Sequence, residues 1–585
     1  MILVFKKLRW FFKAHKKKYI WGLLIFAWVR IFEILPPRLI GLAIDDIHTG
    51  MLTSNLLFRY VIALFVTTAV AYIGGYIFQY SIYSGSMRLE ASLRFRIVNK
   101  ILKMKPTFFQ KFRVGDLMAR ATNDLGAVAE ASGYGVLTLF DATLYMAVIL
   151  LMMVFTVSWR LTLAAVIPLP IYALFVTQLG KVYEKKYDAS QKAFSRLNDK
   201  VLETISGMRV VRAYVQEKEE IARFAKIARD VCDKNRQIEA LEAIFQPAGR
   251  LLMGVCFFIT IVYGSHLILA GQMTLGNLVT FNVYLSMLTW PMFAIGVFIN
   301  VMKRGKASLD RIHEVLDTPV EVVEKKEEVT NQAGIPKEII IQNLNFTYPG
   351  YENPALTDVT LTIKQGETIG IVGKTGSGKT TLLRQFLRDY PLEEGKIFVN
   401  GYPLDALNEA EILSWIGYVP QAHILFSKSV KENILYGVTC YDEVDLDQIV
   451  ELAALTDDLA FFSEGLETLV GEKGVAISGG QKQRISIARA MAINPEILIL
   501  DDALSAVDAK TETKIIENIK AERGEKTTII TAHRMSAIAH ADQILVLENG
   551  KISEHGTHET LMVAGGWYKE QYEHQNVRFG GEADG

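Results

Sequence analysis

Residues Gly366–Phe386 read GETIGIVGKTGSGKTTLLRQF. An apolar β-type run, TIGIV, gives way to a glycine-rich turn, and the turn opens directly into a helical period. Gly373 to Thr380 fits G-x-x-x-x-G-K-[ST] in the strand–loop–helix setting that the motif requires. Glycines at Gly373, Gly376 and Gly378 let the backbone of Lys374, Thr375, Ser377 and the glycines themselves wrap N–H groups around phosphates. The following helix adds positive potential at its N-terminus. Lys379 is placed to neutralise β/γ-phosphate charge and Thr380 to ligate Mg²⁺, with Thr381 beside it among the nucleotide-binding residues. The reading is a site for ATP with Mg²⁺.

Downstream, ILILDDALSAVD (Ile497–Asp508) carries a buried-strand pattern into two adjacent aspartates. Asp501, at the end of the strand, is the expected metal carboxylate. Between the two motifs, ISGGQKQRISIARA places Ser478, Gly479, Gly480 and Gln481 at the start of an amphipathic helix, where backbone N–H groups face an anion. Around these, short β-rich runs such as EIIIQNLNFTY, IGYVP, TTIITAH and QILVLENGKI alternate with helical periods. That alternation predicts an α/β domain with a largely parallel sheet.

Before about Arg304 the pattern is different. Six apolar runs are long enough to cross a bilayer, which takes roughly 20 residues. They lie at Tyr19–Ala43, Leu57–Ser81, Val136–Val157, Leu161–Leu179, Leu251–Leu269 and Leu278–Val301. The hydrophobic share of 50% beside a charged share of 22% fits one membrane part and one soluble part. A net charge of zero leaves no basic field for nucleic acid, and no nucleic-acid partner is expected. Cys232, Cys256 and Cys440 fit no metal or redox spacing and read as small buried hydrophobes. Lysines crowd FKKLRWFFKAHKKK before the first run, while the IDDIHTGMLTSN and GSHLILAGQMTLGN turns have no lysine or arginine. The charge bias therefore puts both termini and the P-loop domain in the cytoplasm. The expected layout is an interfacial elbow helix at 1–18 and a membrane domain at 19–317 with two long cytosolic loops. A linker at 318–334, a nucleotide-binding domain at 335–575 and a flexible tail at 576–585 follow.

The order of FTY, Walker A, VPQAHILF, GEKG, ISGGQ, Walker B, SAVD and TAH resembles that of ATP-binding cassette (ABC) proteins, with Ile477 at the usual leucine of the signature. Six spans before one such domain resemble an ABC exporter half-transporter over essentially the whole chain. The resemblance implies an α-helical six-span membrane domain of type IV exporter kind joined to a cytosolic α/β P-loop domain. It implies further roles. Tyr348 would stack on adenine. Gln421 would reach Mg²⁺ and the attacking water. Glu472 would contact membrane-domain extensions, Asp508 would lie in a loop crossing the dimer interface, and His533 would bond the γ-phosphate. Coupling helices would sit near Gly115–Asp124 and Val211–Gln216, and Pro36–Pro37 would kink the first span.

The family's usual residue after the Walker B aspartate is glutamate, the general base; here it is Asp502. Aspartate is one methylene shorter, which withdraws the carboxylate by about 1.5 Å. A misplacement near ~1 Å costs on the order of 100-fold in rate. The site on this chain's own P-loop is expected to be slow. The resemblance then points to heterodimeric multidrug exporters of Gram-positive bacteria, with this chain as the degenerate-site subunit and its signature completing the competent site of a second half-transporter that carries glutamate. Alternatives are a lipid or peptide exporter on the same frame, or a homodimer. The expected cargo is hydrophobic or cationic small molecules crossing the plasma membrane. Glu33 and Asp141, ionisable residues inside apolar runs, are candidate substrate contacts. Asp141→Asn is expected to weaken export of cations more than of neutral compounds.

Overall fold

The computed structural model describes residues 2–320, 333–393, 395–471 and 477–580. The chain forms two compact units. One comprises Met1–Leu102 and Gly115–Thr318, the other Lys103–Val114 and Pro319–Gly585. Most of the expected linker, residues 321–332, lies outside the described residues, as does Glu472.

Each of the six apolar runs of the first unit lies on helix. Among the described residues, four helical stretches are long and apolar enough to cross a membrane: Ser54–Ile101, Val114–Val157, Glu217–Leu269 and Leu275–Asp317. The first run lies in the 33-residue helix Lys16–His48, whose apolar sequence is interrupted by Arg30, Glu33 and Arg38. The fourth run is divided between Trp159–Val166 and Pro168–Ser206.

The Pro36–Pro37 pair leaves Lys16–His48 a single helix. Each proline removes one backbone donor, and side chains of the Leu275–Met287 helix bind backbone carbonyls in the same stretch. Thr280 Oγ1 donates to the Pro37 carbonyl at 3.1 Å and the Tyr284 hydroxyl to the Ile34 carbonyl at 2.9 Å. One turn further on the two helices touch at glycines: a Cβ on Gly276 would lie 1.9 Å from the Gly41 carbonyl oxygen.

The N-terminus departs from the single elbow expected at 1–18. Two short helices, Ile2–Lys7 and Arg9–Ala14, precede a long helix that already begins at Lys16. Val4, Leu8 and Phe11 are buried against Leu89, Leu93, Ile97 and Ile312, so this face packs on protein. The expectation for cysteine is also corrected: Cys256 is buried, whereas Cys232 and Cys440 are exposed.

The second unit has ten strands among its described residues: β1 Glu338–Phe346, β2 Leu356–Lys364, β3 Thr368–Val372, β4 Ile397–Val399, β5 Tyr402–Pro403, β6 Ile416–Val419, β7 Ile497–Asp501, β8 Thr527–Thr531, β9 Gln543–Glu548 and β10 Lys551–Gly556. They form two sheets. The larger has the order β10-β9-β3-β8-β7-β6 and is parallel except for β10. The smaller, β2-β1-β4-β5, is antiparallel. The sequence shows the cause. β7 and β8 are buried at every position, as a strand covered on both faces must be. β2 alternates buried and exposed positions along most of its length, as a strand with one wet face does.

The larger sheet places the chemistry. The P-loop follows β3, Gln421 follows β6, Asp501 ends β7 and His533 follows β8. Four neighbouring parallel strands thus deliver their motifs to one edge, at their carboxyl ends, where open α/β sheets bind ligands. The helix Trp567–Gly580 runs into the segment expected to be a tail from 576. Its Gln575 accepts from the Met535 N–H and donates to the His533 carbonyl, both at 2.9 Å, which ties the helix to the loop after β8.

Candidate nucleotide site

The P-loop backbone requires its glycines. Gly373, Gly376 and Gly378 have φ of 149°, 83° and 105°. A Cβ on Gly373 would lie 2.2 Å from the Leu547 carbonyl oxygen, so β9 itself presses on the loop. Lys379 folds back over the loop and donates to the Gly373 and Lys374 carbonyls at 2.8 and 3.1 Å. Burial lowers its pKa, against the pull of Asp502 and Asp501. A half-buried ammonium beside neutral backbone is suited to an incoming anion. Ser377 Oγ is buried with no hydrogen-bond partner among the described residues, which suits a loop built around phosphate.

Asp501 is 2% exposed. Its Oδ1 accepts from Thr380 Oγ1 at 3.0 Å and Thr531 Oγ1 at 2.9 Å, and its Oδ2 from the Tyr418 hydroxyl at 3.2 Å. Burial and Asp501 together push the Tyr418 phenol up, so it remains a donor. Thr380 and Asp501 present a hydroxyl and a carboxylate side by side. One or two protein oxygens completed by phosphates and water suit Mg²⁺. Among the described residues no cluster of three His, Cys, Asp or Glu side chains competes as a metal site.

Asp502 is held differently. Its φ is +50°, a left-handed conformation that short polar side chains tolerate best. Its N–H donates to Thr531 Oγ1 at 2.9 Å. Its carboxylate has one long contact, from Gln421 Nε2 at 3.4 Å. His423, two residues beyond Gln421, lies near enough to feel the Asp502 charge. Burial nevertheless holds its imidazole below the ordinary range, hence neutral at pH 7, and its Nδ1 has no partner among the described residues.

Tyr348 packs edge-on against Phe346 and Tyr390, and its hydroxyl shares a 2.9 Å hydrogen bond with Thr381. The ring therefore stands at the rim of the P-loop. Ser478 caps the helix Gly479–Ala492 through a reciprocal box with Gln481. That helix is fixed from three sides. Arg484 pairs with Asp458 at 2.6 Å. Gln483 accepts from the Ala506 N–H at 2.9 Å. Arg489 donates to the Ile424 and Asn433 carbonyls at 2.9 and 2.8 Å. The signature helix thus joins the loop after β6 to the loop after β7. Asp508 caps the next helix by accepting from the Thr511 N–H at 3.0 Å. His533 is exposed beyond β8.

Sequence reading missed several of these residues. Thr531 and Tyr418, which hold Asp501, belong to no quoted motif role. The first loop tip lies before the expected Gly115–Asp124. The short helix is Pro106–Lys111, started by its proline, and residues 114–124 already belong to the next long stretch. This tip belongs to the nucleotide unit: Lys105 pairs with Glu409 and Gln110 Nε2 donates to the Tyr390 hydroxyl at 3.3 Å. Glu409 begins the helix that leads into β6. A continuous path therefore runs from the tip through β6 to Tyr418 and Gln421. In the second loop the tip helix is Met208–Ala213, overlapping the expected position.

Fold and site together define a P-loop ATPase unit joined to a multi-pass helical membrane unit. The ABC transporter transmembrane region model matches residues 19–292 and the ABC transporter model residues 356–505. The chain is 48% identical over 577 residues, 99% of its own length and 98% of the relative's, to a Bacillus subtilis protein named "Probable multidrug resistance ABC transporter ATP-binding/permease protein YheI". It is 35% identical over 574 residues, 98% of its own length and 97% of the relative's, to the Escherichia coli "Multidrug resistance-like ATP-binding protein MdlA". A solved bacterial Atm1-family ABC exporter with ATP bound shares its fold with a TM-score of 0.75 at 24% identity, over 96% of this chain and 98% of that one. The chain belongs to the ABC transporter family and has the exporter fold, and it is an ATPase coupled to transport.

Proposed function

We propose that this chain is one half of an asymmetric exporter. It would move hydrophobic, often cationic, small molecules out across the plasma membrane, with both termini and the nucleotide unit in the cytoplasm. The observation that carries the asymmetry is Asp502, whose carboxylate reaches Gln421 only at 3.4 Å. In this reading Asp502 accepts the proton of the attacking water poorly because it sits one methylene short. Lys379 and the P-loop N–H groups hold phosphate, Tyr348 stacks on the base, and His533 bonds the terminal phosphate. Thr380, Asp501 and Gln421 would hold Mg²⁺, which when bound screens phosphate charge. Ser478, Gly479, Gly480 and Gln481 would complete the site of a second ABC half-transporter that carries glutamate.

Two features support a pairing with another nucleotide unit. The tip around Met208–Ala213 has no buried residue, and Val210, Tyr214 and Val215 are exposed apolar groups. The nucleotide unit also exposes apolar groups around Arg489 at Ile424, Phe426 and Tyr436, among which Phe426 stacks on Tyr436 at 4.3 Å. A tip of this kind, supplied by a partner half, would cover such a patch. Substrate-stimulated ATPase together with uphill transport in vesicles tests the exporter reading. Downhill flux without pumping would contradict it.

A further inference from the structure

The membrane unit holds a cavity of about 560 Å³, widely open on one side, lined by Arg30, Glu33, Tyr145, Met287, Trp290 and Phe293, among others. That volume lies in the range of drug-sized sites. Two carboxylates are held by one guanidinium here. Arg30 Nη2 pairs with Asp141 Oδ1 and Arg30 Nη1 with Glu33 Oε2. The Arg30 guanidinium lies 4.3 Å from the centre of the Tyr145 ring and 4.6 Å from that of Phe26, which fixes its plane. Two negative charges and one positive leave the cluster with a surplus charge of minus one.

That surplus is not shared evenly. Asp141 is 1% exposed, and its second oxygen accepts from Trp290 Nε1 at 3.0 Å. Both of its oxygens are therefore occupied, at the start of a π-helical turn, Asp141–Tyr145, that sets the carboxylate's direction. Glu33 keeps 32% of its side chain exposed, and its Oε1 has no hydrogen-bond partner among the described residues. Glu33 lines the cavity; Asp141 does not.

We infer that Glu33 is the carboxylate that selects organic cations in this cavity, and that Asp141 is a positioning residue that holds Arg30 and Trp290 in place. The inference rests on the reading of the chain as an exporter of hydrophobic cations and assigns the charge selection to one residue. The occupant is a monovalent amphipathic aromatic cation. Its charge faces Glu33 Oε1, and its rings lie on the exposed Trp290 and Phe293. This assignment reverses the expectation for Asp141→Asn. Loss of Asp141 removes the anchor of Arg30 and Trp290, so cations and neutral compounds are weakened together.

The test measures binding of tetraphenylphosphonium and of uncharged triphenylphosphine oxide to the full chain in nanodiscs, in its native assembly. The wild type should prefer the cation. Glu33→Gln should lower cation binding about tenfold, or about 1.4 kcal/mol, and leave the oxide unchanged, which also shows that the variant is folded. Glu33→Asp should keep part of the preference. Asp141→Asn should weaken both. A full cation preference in Glu33→Gln, or its loss in Asp141→Asn alone with the oxide unaffected, overturns the assignment. If the wild type binds neither compound, the hydrophobic-cation reading itself falls and takes the assignment with it.

Discussion

The nucleotide site and the Arg30 cluster of the membrane unit each hold two carboxylates, one buried and fully bonded and one partly open. At the nucleotide site Asp501 and Asp502 are adjacent in sequence, and a strand end separates their roles. Around Arg30, Asp141 and Glu33 lie 108 positions apart in sequence, and the shared arginine separates theirs. In both places the buried carboxylate is saturated by its neighbours, and the partly open one is the residue to which a direct role is proposed. The first division follows from local backbone. The second depends on contacts between distant helices.

The largest effect is expected where this contrast is broken in the membrane unit. Arg30→Gln leaves Asp141 buried without its counter-charge, which costs about 3–5 kcal/mol. Thermal unfolding in detergent should show the loss, and adding Asp141→Asn on the same chain should restore most of it. A single variant as stable as the wild type would mean that Asp141 has another partner. Next is Gly373→Ala. With a Cβ 2.2 Å from the Leu547 carbonyl oxygen and φ at 149°, the P-loop has to shift. Nucleotide affinity at this chain's loop should fall about 100-fold, or about 2.7 kcal/mol, measured with a fluorescent ATP analogue, while tetraphenylphosphonium binding stays unchanged.

A smaller effect is expected at the tip contact. Glu409→Gln removes the charge opposite Lys105, a partly buried pair worth about 1 kcal/mol. Drug-stimulated ATPase should drop severalfold while basal ATPase holds. Equal loss of both would place Glu409 in folding rather than in coupling. The smallest effect concerns pH. Burial, then Lys520, holds His540 below its ordinary value of 6.5. The folded state therefore binds this proton less readily than the unfolded chain. Its contribution is complete above about pH 6.5 and is lost as pH falls through that value toward the lower folded one. His540→Gln should flatten the fall of the unfolding midpoint between about pH 7 and 5.

The P-loop, Walker B strand and signature were legible because each is a backbone requirement written in residue type. Glycine must occupy φ of 149° and 105°, and a strand buried on both faces must read ILIL. The apolar runs were legible because bilayer thickness fixes their length, and among the described residues four of the six fall in stretches long and apolar enough to cross. What stayed hidden was tertiary. Nothing local to Asp141 indicates that Arg30 cancels its charge or that Trp290 fills its second oxygen. The support of Asp501 by Thr531 and Tyr418 arises only when β6, β7 and β8 line up. The tip at Pro106–Lys111 did carry a signal, proline at a helix start, but the resemblance placed the tip a few residues too late. The N-terminal elbow showed amphipathic composition, and composition does not distinguish a lipid surface from the protein face that Val4, Leu8 and Phe11 cover.

The central claim is that Asp502 makes this chain's own site slow and the assembly asymmetric. It is tested most directly by ATPase activity in nanodiscs of the chain alone, of the chain with a glutamate-bearing partner half, and of Asp502→Glu in each. The chain alone should be near silent, the pair active, and Asp502→Glu should raise turnover at the chain's own site about 10- to 100-fold. The rise is trimmed slightly because glutamate is less at ease than aspartate at φ +50°. Brisk turnover by the chain alone, unchanged by Asp502→Glu, would contradict it and make a symmetric homodimer the better description.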